Sequence, residues 1–76
     1  MDIRMVLGIN ARRYRAALGL SQEAVGVRIG ADRSYISAIE RGTQNMTIVR
    51  LCELAGGLEV SHLDLLAEPL VLPTAE

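Results

Sequence analysis

Residues 20–42, LSQEAVGVRIGADRSYISAIERG, predict two short helices joined by a tight turn. Ser21 is a favourable N-cap for the first helix, because its hydroxyl can accept a hydrogen bond from a free backbone N–H group. Gly30 can end that helix, since glycine adopts the left-handed conformation at little steric cost. Asp32 can cap the second helix, and Gly42 supplies its stop signal. The stretch therefore predicts a pair of helices with a turn at Gly30.

The second of these helices has two unlike faces. Ile36 and Ile39 make one side apolar and suited to a core. At about 100° per residue, the other side carries small, polar and cationic residues. They are Arg33, Ser34, Ser37, Ala38 and Arg41. Short side chains with hydrogen-bond donors suit a helix in the DNA major groove. The solvated face of an ordinary amphipathic helix has a similar composition, but the preceding helix and glycine turn favour DNA.

Five features of this stretch carry a family resemblance. Gln22 opens the first helix, Gly26 stands where two helices cross closely, and Gly30 lies in the turn. Ile36 belongs to the core, and residues 39–42 read Ile-Glu-Arg-Gly. The stretch resembles the helix-turn-helix of the lambda-repressor and Cro-like group of DNA-binding domains, the XRE-type regulators. The resemblance covers residues 7–66 and implies a compact all-α, five-helix fold with the helix-turn-helix at helices 2 and 3.

The resemblance implies that helix 3 is a recognition helix and that its surroundings contact the DNA backbone. The expected base contacts are Arg33, Ser34, Ser37 and Ala38. The expected backbone contacts are Gln22, Tyr35, Arg41, Thr43, Gln44 and Asn45, of which the last three form a polar loop with donors for phosphate oxygens. Such a loop also has the normal composition of a turn.

The resemblance further implies two interactions that hold the recognition helix in place. In this family an arginine at the place of Arg15 pairs with the glutamate that ends the recognition helix, here Glu40. Gln22 is implied to brace the start of the same helix.

The remaining helices follow from apolar spacing and capping residues. Helix 1 is predicted over residues 2–18, with one stripe formed by Ile3, Leu7, Ala11, Tyr14 and Leu18. Helix 4 is predicted after a Thr47 cap, with Ile48, Leu51, Leu54 and Ala55 buried. Ser61 and Asp64 form a capping-box-like start for helix 5, in which Leu63 and Leu66 are expected to point inward.

The C-terminal part holds more apolar side chains than a core of this size needs. Leu65 is left over by the predicted pattern, and Pro69 and Pro73 bracket an apolar run at 70–72. We expect a DNA-binding domain at residues 1–67 and an extension at residues 68–76. A homodimer interface is expected from Leu65, Leu70, Val71 and Leu72. A segment folded back over its own core and a plain tail remain alternatives.

Charge is distributed unevenly along the 76 residues, although the net charge is only −1. Residues 1–50 carry eight arginines and four acids, whereas residues 51–76 carry five acids and no arginine or lysine. A basic half beside an acidic half suggests DNA on one side and solvent or another partner on the other. A chance imbalance is the alternative.

Composition argues against several other classes of protein. No apolar run approaches the roughly 20 residues of a membrane span, and the N-terminus lacks a signal-peptide pattern. The single cysteine, Cys52, allows no internal disulfide and no metal spacing, and His62 has no catalytic or ligand partner. We therefore expect a cytoplasmic protein that is not an enzyme and has no cofactor, no metal and no membrane contact.

The leading hypothesis is a sequence-specific regulator of transcription, a repressor or autoregulator. It would bind double-stranded DNA as a homodimer on an inverted-repeat operator. The alternative is an antitoxin or protein-interaction module on the same fold, acting mainly through a second protein. The acidic second half and the apolar tail favour that alternative.

Overall fold

Five helices, the number that the sequence predicted, make up the computed structural model, which describes residues 1–68. They are α1 (Ile3–Ala17), α2 (Gln22–Ile29), α3 (Arg33–Glu40), α4 (Ile48–Gly57) and α5 (His62–Leu66). No strand occurs between residues 1 and 68. None of the helices in that range combines the length and the apolar character needed to cross a membrane.

Each helix begins after a polar residue whose side chain accepts a backbone N–H hydrogen bond. These caps are Asp2, Ser21, Asp32, Thr47 and Ser61. Ser61 and Asp64 form a complete capping box. The side-chain and backbone hydrogen bonds from Arg4 lower the pKa of Asp2 to about 2. Four of the five caps were predicted as such, and the fifth, Asp2, was predicted to lie at a helix start.

The turn between α2 and α3 depends on two glycines. Gly30 ends α2 with φ 70°, a left-handed conformation that favours glycine. A Cβ atom at Gly26 would lie only 2.5 Å from the carbonyl oxygen of Ala31. The Ala31 N–H group donates to the Gly26 carbonyl at 2.8 Å, so the turn is held against α2. This close approach explains why position 26 has no side chain.

The core draws side chains from all five helices. Its buried members are Leu7, Ala11, Val25, Ile36, Ile39, Leu54, Ala55, Leu58 and Leu65. α1 packs against α3 and α5, while α2 packs against α3 and α4. Burial of each leucine or isoleucine contributes about 1.5–3 kcal/mol, which anchors both helices of the motif.

The orientation of α5 differs from the expectation. Leu65 is fully buried, with 0% exposure, whereas Leu63 is 67% exposed. Asn10 of α1 is itself buried, and its side-chain amide donates to the carbonyls of Leu65 and Ala67 at 2.8 and 2.7 Å. These bonds fix the end of α5 so that Leu65 points into the core. Placing Leu65 in a dimer interface was therefore wrong, and Leu70, Val71 and Leu72 lie outside the described residues.

Three residues at helix ends were also expected to be buried and are not. Ile3 is 54% exposed at the start of α1, and Ile48 is 80% exposed at the start of α4. Leu18 lies beyond the end of α1 and is also exposed. Their positions fit the helical period, but they lie at or just beyond the ends of helices, where the other residues of 1–68 leave them exposed.

Candidate nucleic-acid interface

The outward face of α3 is a shallow, open depression with polar walls. Its lining residues are Asp32, Arg33, Ser34, Ser37 and Arg41. Arg33 and Ser34 are exposed, while Ser37 and Ala38 are partly exposed on the same helix. Arg33 makes no side-chain hydrogen bond or ion pair among the described residues, so its guanidinium is available to a ligand. Arg41 donates to the Ser37 hydroxyl at 2.5 Å.

Asp32 adds a fixed negative charge at the start of α3. Its carboxylate accepts hydrogen bonds from the Tyr35 N–H group at 2.9 Å and the Ser34 hydroxyl at 3.0 Å. These bonds, the backbone one first, lower the pKa of Asp32 below its ordinary value of 3.8. A carboxylate repels phosphates but can accept from a cytosine amino group, so this end of the helix suits base edges.

The other end of α3 is fastened by a hydrogen-bonded ion pair. Arg15 donates through Nε to Glu40 Oε2 at 2.6 Å and through Nη2 to Oε1 at 3.0 Å. Its Nη1 donates to the Leu20 carbonyl at 2.9 Å. The side chains of Glu40 and Arg15 are only 6% and 18% exposed. The carboxylate raises the pKa of the Arg15 guanidinium. The pair thus joins α1 to the end of α3.

Gln22 completes this network from the start of α2. Its side-chain amide donates to Glu40 Oε1 at 3.1 Å. The expectation that Gln22 braces the start of α3 was wrong, because α2 and α3 pack so that the first residue of α2 lies beside the last residue of α3. Gln22 remains partly exposed beside the end of the recognition helix.

The loop after α3 is held at both of its ends. The Thr43 hydroxyl and N–H group both donate to the Ala38 carbonyl at 3.1 Å. Further along, Arg4 of α1 donates to Asn45 Oδ1 at 3.2 Å. Thr43 and Asn45 are exposed, and Gln44 is partly exposed. These three side chains are therefore presented on a loop whose path is tied to α1 and α3.

Tyr35 lies at the edge of the polar face of α3. It is half-buried against the core, and the Arg50 guanidinium stacks over its ring at 5.1 Å from the ring centroid. Arg50 also donates to the Ile29 carbonyl and to Glu53, both at 2.8 Å. Arg50 of α4 thus holds the Tyr35 ring in place.

Half of the eight arginines are neutralised by ion pairs. The pairs within residues 1–68 are Arg4–Asp2, Arg15–Glu40, Arg28–Glu59 and Arg50–Glu53. Two of them join an arginine of the basic half to a glutamate of the acidic half. The predicted separation of a basic side from an acidic side is therefore only partial in space. In the same range Arg12, Arg13, Arg33 and Arg41 have no ion-pair partner.

Sequence reasoning missed two residues of α1, Gly8, which positions the end of α3, and Asn10, which positions α5. A Cβ at Gly8 would lie 2.7 and 2.8 Å from the carbonyl oxygens of Ile39 and Glu40, so this glycine allows α1 to approach the end of α3. Asn10 fixes α5, as described above. The available signals were a glycine inside a helical pattern, and an asparagine one residue before the apolar Ala11.

Comparison with known proteins gives a consistent result. A family model described as a helix-turn-helix domain matches residues 6–68. The chain is 45% identical over its whole length to the uncharacterized HTH-type transcriptional regulator y4dJ of Sinorhizobium fredii, of which it covers 92%. It superposes on a hypothetical transcription factor from Neisseria with a TM-score of 0.85 and 38% identity, covering 90% of this chain and 78% of that one.

A third similar protein was solved together with DNA. It is the restriction-modification controller protein C.Esp1396I, a tetramer in complex with its natural 35 base-pair operator. The TM-score is 0.77 and the identity 32%, with 86% of each chain covered. The five-helix arrangement is therefore the lambda-repressor-like fold of controller proteins.

Proposed function

This chain belongs to the helix-turn-helix family of DNA-binding transcriptional regulators, and we propose that it represses or autoregulates transcription by reading an inverted-repeat operator through α3. The observation that carries this proposal is the outward face of α3. This face is polar, open and cationic. The largely buried Arg15–Glu40 ion pair fastens the end of α3 to α1. A face that is fixed before DNA arrives loses little conformational entropy on binding.

Within that face Arg33 has a different role from the short side chains beside it. Arg33 is free to form the bidentate contact with guanine that arginine favours. Ser34, Ser37 and Ala38 have short side chains that allow close approach to base edges. The Arg33 contact is the largest contribution to sequence preference, because a good bidentate pair discriminates by about 1–3 kcal/mol.

The DNA backbone contacts flank this face. Arg41 stands at the end of α3, and the tethered loop presents Thr43, Gln44 and Asn45. Gln22 and Tyr35 complete the set on the two sides of α3. These contacts fix register on the duplex and carry no sequence information themselves.

We further propose a homodimer, because one recognition helix reads only a few base pairs. Two-fold dimers place recognition helices about 34 Å apart on inverted half-sites. With Leu65 in the core, the apolar side chains that α4 and α5 offer to a partner include Val49, Cys52 and Leu63, all exposed.

These exposed side chains also favour a second candidate function, in which a different protein binds α4 and the DNA-binding activity is secondary. The two functions are distinguished by measuring whether the protein prefers one DNA sequence over another. A regulator binds one DNA sequence much more tightly than another at physiological salt, whereas a protein-interaction module shows no such preference.

The test begins by selecting bound sequences from a random DNA pool. Affinity for the selected site and a scrambled site is then measured by fluorescence anisotropy over a range of salt. Arg33→Ala should weaken binding to the selected site about 5- to 150-fold and relax preference at one base position. Arg13→Ala is a matched control, because Arg13 donates to Asn10 on the α5 side of α1. If Arg33→Ala weakened binding to the selected site and to the scrambled site equally, Arg33 would be a phosphate contact instead.

Arg41→Ala should behave differently from Arg33→Ala. It removes a phosphate contact, so binding to both DNAs should weaken alike and the salt slope should fall by about one unit. A change in sequence preference with an unchanged salt slope would contradict the backbone role.

A further inference from the structure

A groove between the start of α1, the loop before α4 and the end of α5 is unfilled by residues 1–68. Its volume is about 230 Å³. Its apolar lining consists of Ile3, Leu7, Met46, Ile48, Leu51 and Leu66. Ile3 and Ile48 at its mouth are the mostly exposed side chains that helix periodicity had placed in the core. The volume is below the roughly 300–1,000 Å³ of small-molecule sites, and it suits a few aliphatic side chains.

The chain leaves the five-helix fold at the rim of this groove. Leu66 lines the groove and is the last residue of α5. Asn10 holds the carbonyls on either side of it, those of Leu65 and Ala67. The backbone is extended at Ala67, with φ −75° and ψ 135°. The described part of the chain therefore ends at Glu68, two residues after a side chain that lines the groove.

We propose that Leu70, Val71 and Leu72 fill this groove of their own chain. Leu70 is four residues after Leu66, and four residues of fully extended chain reach at most about 13–14 Å. So short a connection gives an effective concentration in the millimolar range, which favours the intramolecular site over a second copy. Prolines at 69 and 73 disfavour a helix in this part of the sequence, so the proposed occupant is an extended segment.

The groove shares a wall with the candidate DNA interface. Gln44, Asn45 and Met46 line it from the loop that follows α3. Side chains in the groove support that loop from behind and so raise DNA affinity without touching DNA. This second effect rests on the proposed function, whereas occupancy of the groove does not.

Occupancy is tested with the full chain by methyl NMR of its methionines. Met46 reports on the groove, and Met5, whose Cγ would lie 3.2 Å from a Cβ added at Gly42, is an internal reference outside the groove lining. Replacing Leu70, Val71 and Leu72 together by serine should shift the Met46 methyl signal, leave that of Met5 in place and lower Tm by about 5 °C. The shift should be the same at every protein concentration.

Two further variants separate the groove from the rest of the surface. Ile48→Ser should lower Tm, and its effect should largely vanish when the serine triple is already present. Leu63→Ser is the matched control, since Leu63 is comparably exposed but does not line the groove, and its effect should add to that of the triple. An unchanged Met46 signal would overturn the proposal. A Met46 shift that appears only as the protein dimerises would overturn it too, in favour of a second copy in the groove.

DNA binding supplies a separate readout. With the selected operator, the serine triple should weaken binding about three- to tenfold, and an unchanged affinity would overturn the support of the loop. Failure of the wild-type chain to prefer any DNA sequence would overturn the proposed function. A concentration-independent Met46 shift in the same chain would still support groove occupancy.

Discussion

Replacing Arg15 with alanine is expected to lower the free energy of unfolding by about 3–5 kcal/mol. The variant leaves the Glu40 carboxylate 6% exposed, with only the Gln22 amide as a side-chain partner. Glu40→Ala should cost less, about 2–3 kcal/mol, because Arg15 is more exposed and keeps its hydrogen bond to the Leu20 carbonyl. The free energy of unfolding of the double variant should fall by less than the sum of the two single losses, because neither charge is then left unpaired.

Urea denaturation of the wild type, the two single variants and the double variant gives the coupling energy of the pair. The Arg28–Glu59 pair is the matched control. It also joins two elements, but its side chains are 39% and 61% exposed, so its coupling should be below about 1 kcal/mol. Equal coupling in the two cycles would refute the argument that burial of Arg15–Glu40 makes it important. Specific DNA binding by Arg15→Ala should also fall, because the end of α3 loses its attachment.

Three further predictions concern stability. Gly26→Ala should destabilise by about 1–3 kcal/mol in urea melts, because its Cβ meets the Ala31 carbonyl. Gly56→Ala, with no atom near its Cβ, should instead stabilise by about 0.5–1 kcal/mol. Asn10→Ala leaves the carbonyls of Leu65 and Ala67 without this donor and should increase amide hydrogen exchange in α5. Unchanged exchange would contradict the role of Asn10 in fixing α5. Asp32 has a lowered pKa when folded, so its stabilisation is present above pH 3.8 and is lost as the pH falls through the folded value. The Tm difference between wild type and Asp32→Asn should shrink in acid accordingly; a constant difference would exclude this role.

Local features of the fold were predictable from the sequence. A cap such as Ser21 or Thr47 acts on backbone groups two or three residues away, so its effect does not depend on the rest of the chain. Gly30 likewise meets a local requirement, because the turn after α2 needs a residue in the left-handed conformation at that position. The resemblance added what spacing alone does not contain, namely that Arg15 and Glu40, 25 positions apart, form a pair, which the structure contains.

The rotation of α5 was not predictable in the same way. A helix of five residues has fewer than two turns, so its apolar period does not decide between Leu63 and Leu65. The decision comes from Asn10, which lies 55 positions before Leu65. Ile48 illustrates the related problem of helix ends, where the period is correct but the neighbouring elements leave the side chain 80% exposed.

The ion pairs of Arg28 with Glu59 and of Arg50 with Glu53 have a consequence for the time that the protein spends on random DNA. The net charge is −1, and within residues 1–68 only Arg12, Arg13, Arg33 and Arg41 have no ion-pair partner, so the attraction of the chain for phosphates is weak. A genome offers on the order of 10⁶–10⁹ competing sites, which would retain a strongly basic protein of low abundance. We expect this chain to escape most of that retention, so that its free concentration follows the number of copies synthesised. Operator occupancy can then report copy number, which is the quantity that an autoregulator must sense.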